Sequence, residues 1–166
     1  MRVFKGSFRK PTEADIEFLV EHMREADRRE IKRMSAQNIE WSVRHSVECS
    51  DACYTGVLED GSIACIFGAM RGSLVDGSAV LWELSTDAVD RHPVEFAVGS
   101  KAGLDLLCRE MDDVGEFGNW VDLDYRAAIR WIEWFGGSFA SRELRPGLGG
   151  SKFGFFYFPN PHHKED

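Results

Sequence analysis

Residues 121–139 read Val-Asp-Leu-Asp-Tyr-Arg-Ala-Ala-Ile-Arg-Trp-Ile-Glu-Trp-Phe-Gly-Gly-Ser-Phe. This stretch joins the end of one strand to the start of another through a helix. Asp124 is a residue type that caps helix starts, so a helix is predicted to begin there. Gly136-Gly137 supply the left-handed backbone that closes a helix, which sets its end at Phe135. A strand over 138–144 follows, and a last strand over 152–158. Residues 161–166 read as a loose tail.

Moving toward the N-terminus, residues 117–121 predict a short strand. Pro93 suits a first helical turn, where its missing N–H would be unpaired anyway. That helix runs to about Met111, with Phe96, Gly99, Gly103, Leu106 and Leu107 on its buried side. Asp76-Gly77 and Glu59-Asp60-Gly61 predict tight turns. They separate strands over 53–58, 62–70 and 79–84. Thr12 and Asp15 make an acidic capping box for a helix carrying Ile16, Leu19, Val20 and Met23 at helical spacing. A short helix covers 28–34, a third starts after the N-cap Asn38, and residues 2–8 open the chain as a strand. The order is strand, two or three helices, three antiparallel strands, helix, strand, helix, two strands. It predicts the α+β class: one domain over 1–160 with a mixed central sheet of about seven strands flanked by helices.

The 166 residues carry a formal net charge of −8, which argues against broad nucleic-acid binding. Arg24, Arg28, Arg29, Lys32 and Arg33 alternate with Glu25, Asp27 and Glu30. This pattern predicts a solvated helix face with surface salt bridges. Cys49, Cys53, Cys65 and Cys108 fit no disulfide framework and are expected to be reduced. His45, Cys49 and Cys53 lack a fourth ligand at zinc spacing, so no metal is expected. No apolar run has membrane-helix length, and the opening residues show no signal core. A cytoplasmic location is the expectation.

The element order resembles the GCN5-related N-acyltransferase superfamily over nearly the whole chain. Ala128-Ile129, Gly136 and Phe139 hold the frame of that superfamily's Asn-x-x-Ala-Ile helix and Gly-Phe turn. More narrowly, the chain resembles a phage-encoded branch that includes podovirus internal virion proteins. Asp27-Arg28-Arg29-Glu30, Phe67-Gly68, Leu81 to Thr86, Arg91-His92-Pro93, Asn119 to Asp122 and Ile129-Arg130-Trp131 carry this resemblance.

The resemblance implies acetyl-CoA as cofactor if the chain is active, with the pyrophosphate on a Gly-rich helix start. The matching region, 86–99, lacks that pattern. Pro93 removes a donor, Glu95 sits in the first turn, and Asp87 and Asp90 add negative charge. The superfamily's Tyr acid aligns with Ile132, and its Asn with Tyr125. Glu83 lies on the strand that commonly carries the base, flanked by Trp82 and Leu84 on the opposite face. The expected catalytic pair is therefore Glu83 as base and Tyr125 as acid. The cofactor-facing set is the backbone of Leu84, Ser85 and Thr86, with His92 at the helix start.

These features favour a non-catalytic interaction protein with an eroded cofactor motif, binding virion or host proteins or a second copy of itself. An acyl-CoA-dependent N-acetyltransferase with an atypical cofactor site is the alternative. A module that reuses the cleft for another small molecule is the third reading.

Overall fold

The computed structural model describes residues 2–72 and 77–165. Asp76 of the expected Asp76-Gly77 turn lies outside them.

The chain opens with β1 (Ser7–Arg9) and three helices, α1 (Glu13–His22), α2 (Glu25–Met34) and α3 (Ile39–Cys49). The expected capping box closes α1: Asp15 N–H donates to Thr12 Oγ1, and Thr12 N–H donates to Asp15 Oδ2. Asn38 Oδ1 accepts from Trp41 N–H at 2.7 Å and starts α3 as expected. The hairpin of β2 (Ala52–Val57) and β3 (Ile63–Arg71) turns at Gly61, whose φ of 87° is strained for any residue with a Cβ. Then follow β4 (Ser78–Ser85), the single turn α4 (Ala88–Arg91), α5 (Pro93–Glu110) and β5 (Glu116–Asp122). The chain ends with α6 (Arg126–Trp134), β6 (Ser138–Pro146), a 3₁₀ turn and β7 (Lys152–Pro159).

Asp124 does not cap α6. Tyr125 occupies the cap position, and Asp122 Oδ1 accepts the Asp124 N–H at 2.9 Å instead. Gly136, at φ 86°, ends the helix, and the Gly137 N–H returns to the Ile132 carbonyl.

The seven strands form one sheet in the order β1-β2-β3-β4-β5-β7-β6. Every neighbouring pair is antiparallel except β4 and β5. Helices α1 to α3 cover one face, where Ile16, Leu19, Val43, Ile66 and Trp82 pack together. Helices α5 and α6 cover the other. There Ala69, Phe96, Leu107 and Phe117 form one cluster, and Val121, Ile132, Phe156 and Phe158 a second. Gly99 and Gly103 let aromatic rings approach α5: a Cβ would lie 2.7 Å from Phe4 and 2.9 Å from Phe67, respectively. Among the described residues no helix is long and apolar enough to cross a membrane.

The C-terminal segment is tied down where a loose tail was expected. His162 Nε2 lies 2.7 Å from Asp105, and Lys164 N–H donates to the Asp112 carbonyl at 2.9 Å. Asn160, buried, anchors this segment by donating to the Cys108, Met111 and Val114 carbonyls at the end of α5.

Candidate functional site

Parallel strands β4 and β5 pair only between Ser78–Val80 and Glu116–Gly118, and then part. Asn119 Nδ2 spans the start of the gap to the Leu81 carbonyl at 2.8 Å. Below this clasp a cavity of about 380 Å³ opens through the sheet. One arm lies on the α5/α6 face, walled by Phe67, Phe96 and Trp131. The other lies on the α2/α3 face, beside Ile31, Met34 and Trp82.

Glu83 stands at the neck between the arms. Alternation along β4 places it on the α5/α6 face, opposite Trp82 and Leu84, which pack against the α1–α3 cluster as the sequence predicts. Its side chain is exposed to the open cleft, whose walls crowd it closely enough to limit its hydration. This desolvation, reinforced by the nearby Asp27 charge, pushes its pKa up to about 7. Ser85 Oγ donates to its Oε1 at 2.6 Å.

Helix α2 brings two more carboxylates to the neck. Asp27 is buried: its Oδ2 accepts the Ser85 N–H, and its Oδ1 accepts the Tyr125 hydroxyl, both at 2.8 Å. Burial raises its pKa above the usual carboxylate range. Glu30 accepts the Asp122 N–H at 3.0 Å, and burial pushes its pKa to about 7. The expectation of a solvated α2 face with surface salt bridges is therefore corrected for these residues. Asp27, Glu30, Ile31 and Met34 share one helical face, and the spacing of i, i+3, i+4 and i+7 with two apolar members was the available signal. Arg24 leaves the helix start to donate to the Tyr125 hydroxyl at 3.2 Å and to Asp90 at 2.9 Å. Arg33 pairs with Asp122 at 2.8 Å and Asp124 at 3.0 Å, fastening α2 to the end of β5.

Glu83 and Tyr125 both line the cavity. The Tyr125 proton is directed at Asp27, and burial with that carboxylate raises the phenol far above its ordinary pKa. The expected cofactor-facing backbone is largely taken. The Ser85 carbonyl accepts the Arg24 N–H at 3.0 Å, its N–H goes to Asp27, and the Thr86 N–H goes to the Ala64 carbonyl at 2.8 Å. The Thr86 hydroxyl is buried on the Ile63 carbonyl at 2.7 Å. His92 points to Asp60, 3.2 Å away, and makes no side-chain cap on α5. His45 and Cys49 come within 3.6 Å of each other on α3, while Cys53 is buried. No metal-binding group of His, Cys, Asp and Glu occurs among the described residues.

The chain superposes on solved structures of N-acetyltransferases over most of its length. Spermidine N-acetyltransferase from Vibrio cholerae, solved with CoA and spermine, superposes with a TM-score of 0.70 at 8% identity, covering 94% of this chain and 96% of that one. The ribosomal-protein-S18-alanine N-acetyltransferase from Escherichia coli gives 0.59 at 16% identity, covering 97% and 96%. The chain has the GCN5-related N-acyltransferase fold. No protein-family model and no curated protein sequence matches it.

On this fold a CoA pyrophosphate would be sought at the start of α5, and the residues there do not fit one. Pro93 takes the N1 position, and α4 fills the turn with buried Ala88 and Val89. Glu95 Oε1 already accepts the Glu59 N–H at 2.6 Å. Asp60, Asp87 and Asp90 surround the same corner, with Arg91 paired to Asp87 at 3.4 Å and His92 to Asp60. No side chain caps the α5 N–H groups, but an anion approaching them would meet these carboxylates, with Arg91 and His92 already paired.

Proposed function

We propose that the chain is an N-acyltransferase that moves an acyl group from a thioester to an amine at the neck beside Glu83. One observation carries this reading. The cleft passes through the sheet at the β4/β5 split, so two ligands can enter from opposite faces and meet at a carboxyl group whose pKa is about 7. A base poised near neutrality suits proton removal from an amine.

In the step, the amine nitrogen attacks the thioester carbonyl. The C–N bond forms, the C–S bond breaks, the amine proton passes to the Glu83 carboxylate, and the thiolate takes a proton from water. Tyr125 acts as a positioning residue, because its hydroxyl is engaged by Asp27 and Arg24. The carboxylates Asp27, Glu30 and Glu83 favour a cationic amine as acceptor. The Vibrio protein named above acts on such an amine, spermidine. Acetyl-CoA is the donor the fold suggests, and the acidic corner at α5 argues that its nucleotide adds little to binding.

Release of free thiol, followed with a thiol reagent, tests the reading. Release that requires both a thioester and an amine such as spermidine is the expected result. Hydrolysis at the background rate with every amine would refute it. The acidic start of α5 favours a second reading, a non-catalytic protein that works through protein contacts, which the phage resemblance would put within a virion. That reading expects no thiol release and a stable complex in sedimentation.

A further inference from the structure

The arm on the α5/α6 face is built from Phe67, Phe96, Leu104, Trp131, Phe156 and Phe158. Phe96 and Trp131 join the two helices with ring centroids 4.9 Å apart. Ser100, a polar side chain in this arm, spends its hydroxyl on the Phe96 carbonyl at 2.8 Å. Nothing in these walls matches the amides and phosphates of a nucleotide carrier. The cavity of about 380 Å³ lies within the range of about 300–1,000 Å³ common for small-molecule sites. An acetyl group fills only its neck.

We propose that this arm holds an apolar acyl chain of medium length, so that the protein selects its thioester donor by the acyl group rather than by the nucleotide. The inference rests on the N-acyltransferase reading for the identity of the ligand as a donor. Its physical basis is independent: binding must come from apolar burial, because at the α5 corner Arg24, Arg91 and His92 are already paired to Asp90, Asp87 and Asp60 and are not offered to a phosphate. Each buried methylene is worth roughly fourfold in affinity.

Titration calorimetry with octanoyl- and acetyl-N-acetylcysteamine, neutral thioesters without a nucleotide, tests the proposal, with octanoyl-CoA and acetyl-CoA for comparison. The octanoyl ester is expected to bind at least about 100-fold more tightly than the acetyl ester. The CoA carrier is expected to change octanoyl affinity by less than about tenfold. Equal affinity for the two acyl groups, or tightest binding by acetyl-CoA, overturns the proposal. Leu104→Trp, or Ala128→Phe from the facing helix, fills the arm. Each is expected to remove the octanoyl preference while the circular dichroism spectrum stays unchanged. A folded variant that keeps the full preference overturns the location. Octanoyl binding without thiol release from any amine supports this ligand site and removes the transferase reading. Thiol release from acetyl-CoA with no octanoyl preference does the reverse.

Discussion

Asn119 clasps the two strands whose separation makes the cleft: its Nδ2 donates to the Leu81 carbonyl at 2.8 Å, just beyond the last paired residues of β4 and β5. Its Oδ1 accepts the Trp120 N–H at 2.7 Å, which fixes the amide orientation. Asn119→Leu removes the clasp and leaves a strand carbonyl without this partner. The expected loss is about 1–2 kcal/mol in urea unfolding. An unchanged midpoint would show that the split needs no clasp.

Tyr125 reaches Asp27 across the neck and ties α6 to α2. Tyr125→Phe leaves a buried carboxylate with the Ser85 N–H and the Arg24 charge but without the phenol. The expected cost is about 1–3 kcal/mol of stability. If the hydroxyl only positions, thiol release by Tyr125→Phe keeps the pH profile of the parent protein. A lost alkaline limb would instead make the phenol an acid in the reaction.

The raised carboxyl groups link stability to pH. Glu30 has a pKa of about 7 in the folded protein against an ordinary 4.5, because burial disfavours its charge. The folded state therefore holds this proton more tightly than the unfolded chain. The associated stability is complete below 4.5 and is lost as pH rises through about 7. Glu30→Gln keeps an oxygen for the Asp122 N–H and removes that loss. Its melting temperature relative to the parent is expected to be higher at about pH 8 than at about pH 5. The opposite trend in melting curves would show that Glu30 is not desolvated.

Two glycines of α5 give a graded packing prediction. Gly103→Ala places a methyl group 2.9 Å from the ring of Phe67, which is buried in the core. Overpacking of this kind costs about 1–3 kcal/mol, more than the roughly 1 kcal/mol of helix propensity that alanine restores. Gly99→Ala meets Phe4, which sits half-buried in the opening segment and can shift. Gly103→Ala is thus expected to be the more destabilised of the two in thermal unfolding, and equal melting points would contradict that.

Local chemistry made most of the fold legible. The Thr12/Asp15 box, the Asn38 cap, the Gly61 turn, Pro93 and the Gly136-Gly137 stop each act within a few residues, and each stands where the sequence places it. The Asp124 cap failed because its carboxylate is drawn to Arg33, far away in sequence on α2, at 3.0 Å. The C-terminal segment looked loose because its anchors, Asp105 and Asp112, lie about fifty residues away in sequence. Glu83 was legible from strand alternation. Asp27 and Glu30 were not, because a helix with so many alternating charges reads as solvated unless one knows that β4 and β5 part beneath it. That parting is a long-range property of strand pairing, and no local pattern reports it.

The central claim is that Glu83 takes the amine proton. The most direct measurement is the pH dependence of thiol release by the parent protein and by Glu83→Gln. The parent rate is expected to rise through about pH 7 as the carboxyl group ionises. The variant is expected to lose about 10²–10⁴-fold in kcat, and that rise with it. A Glu83→Gln protein that turns over at the parent rate with the same pH profile would contradict the claim.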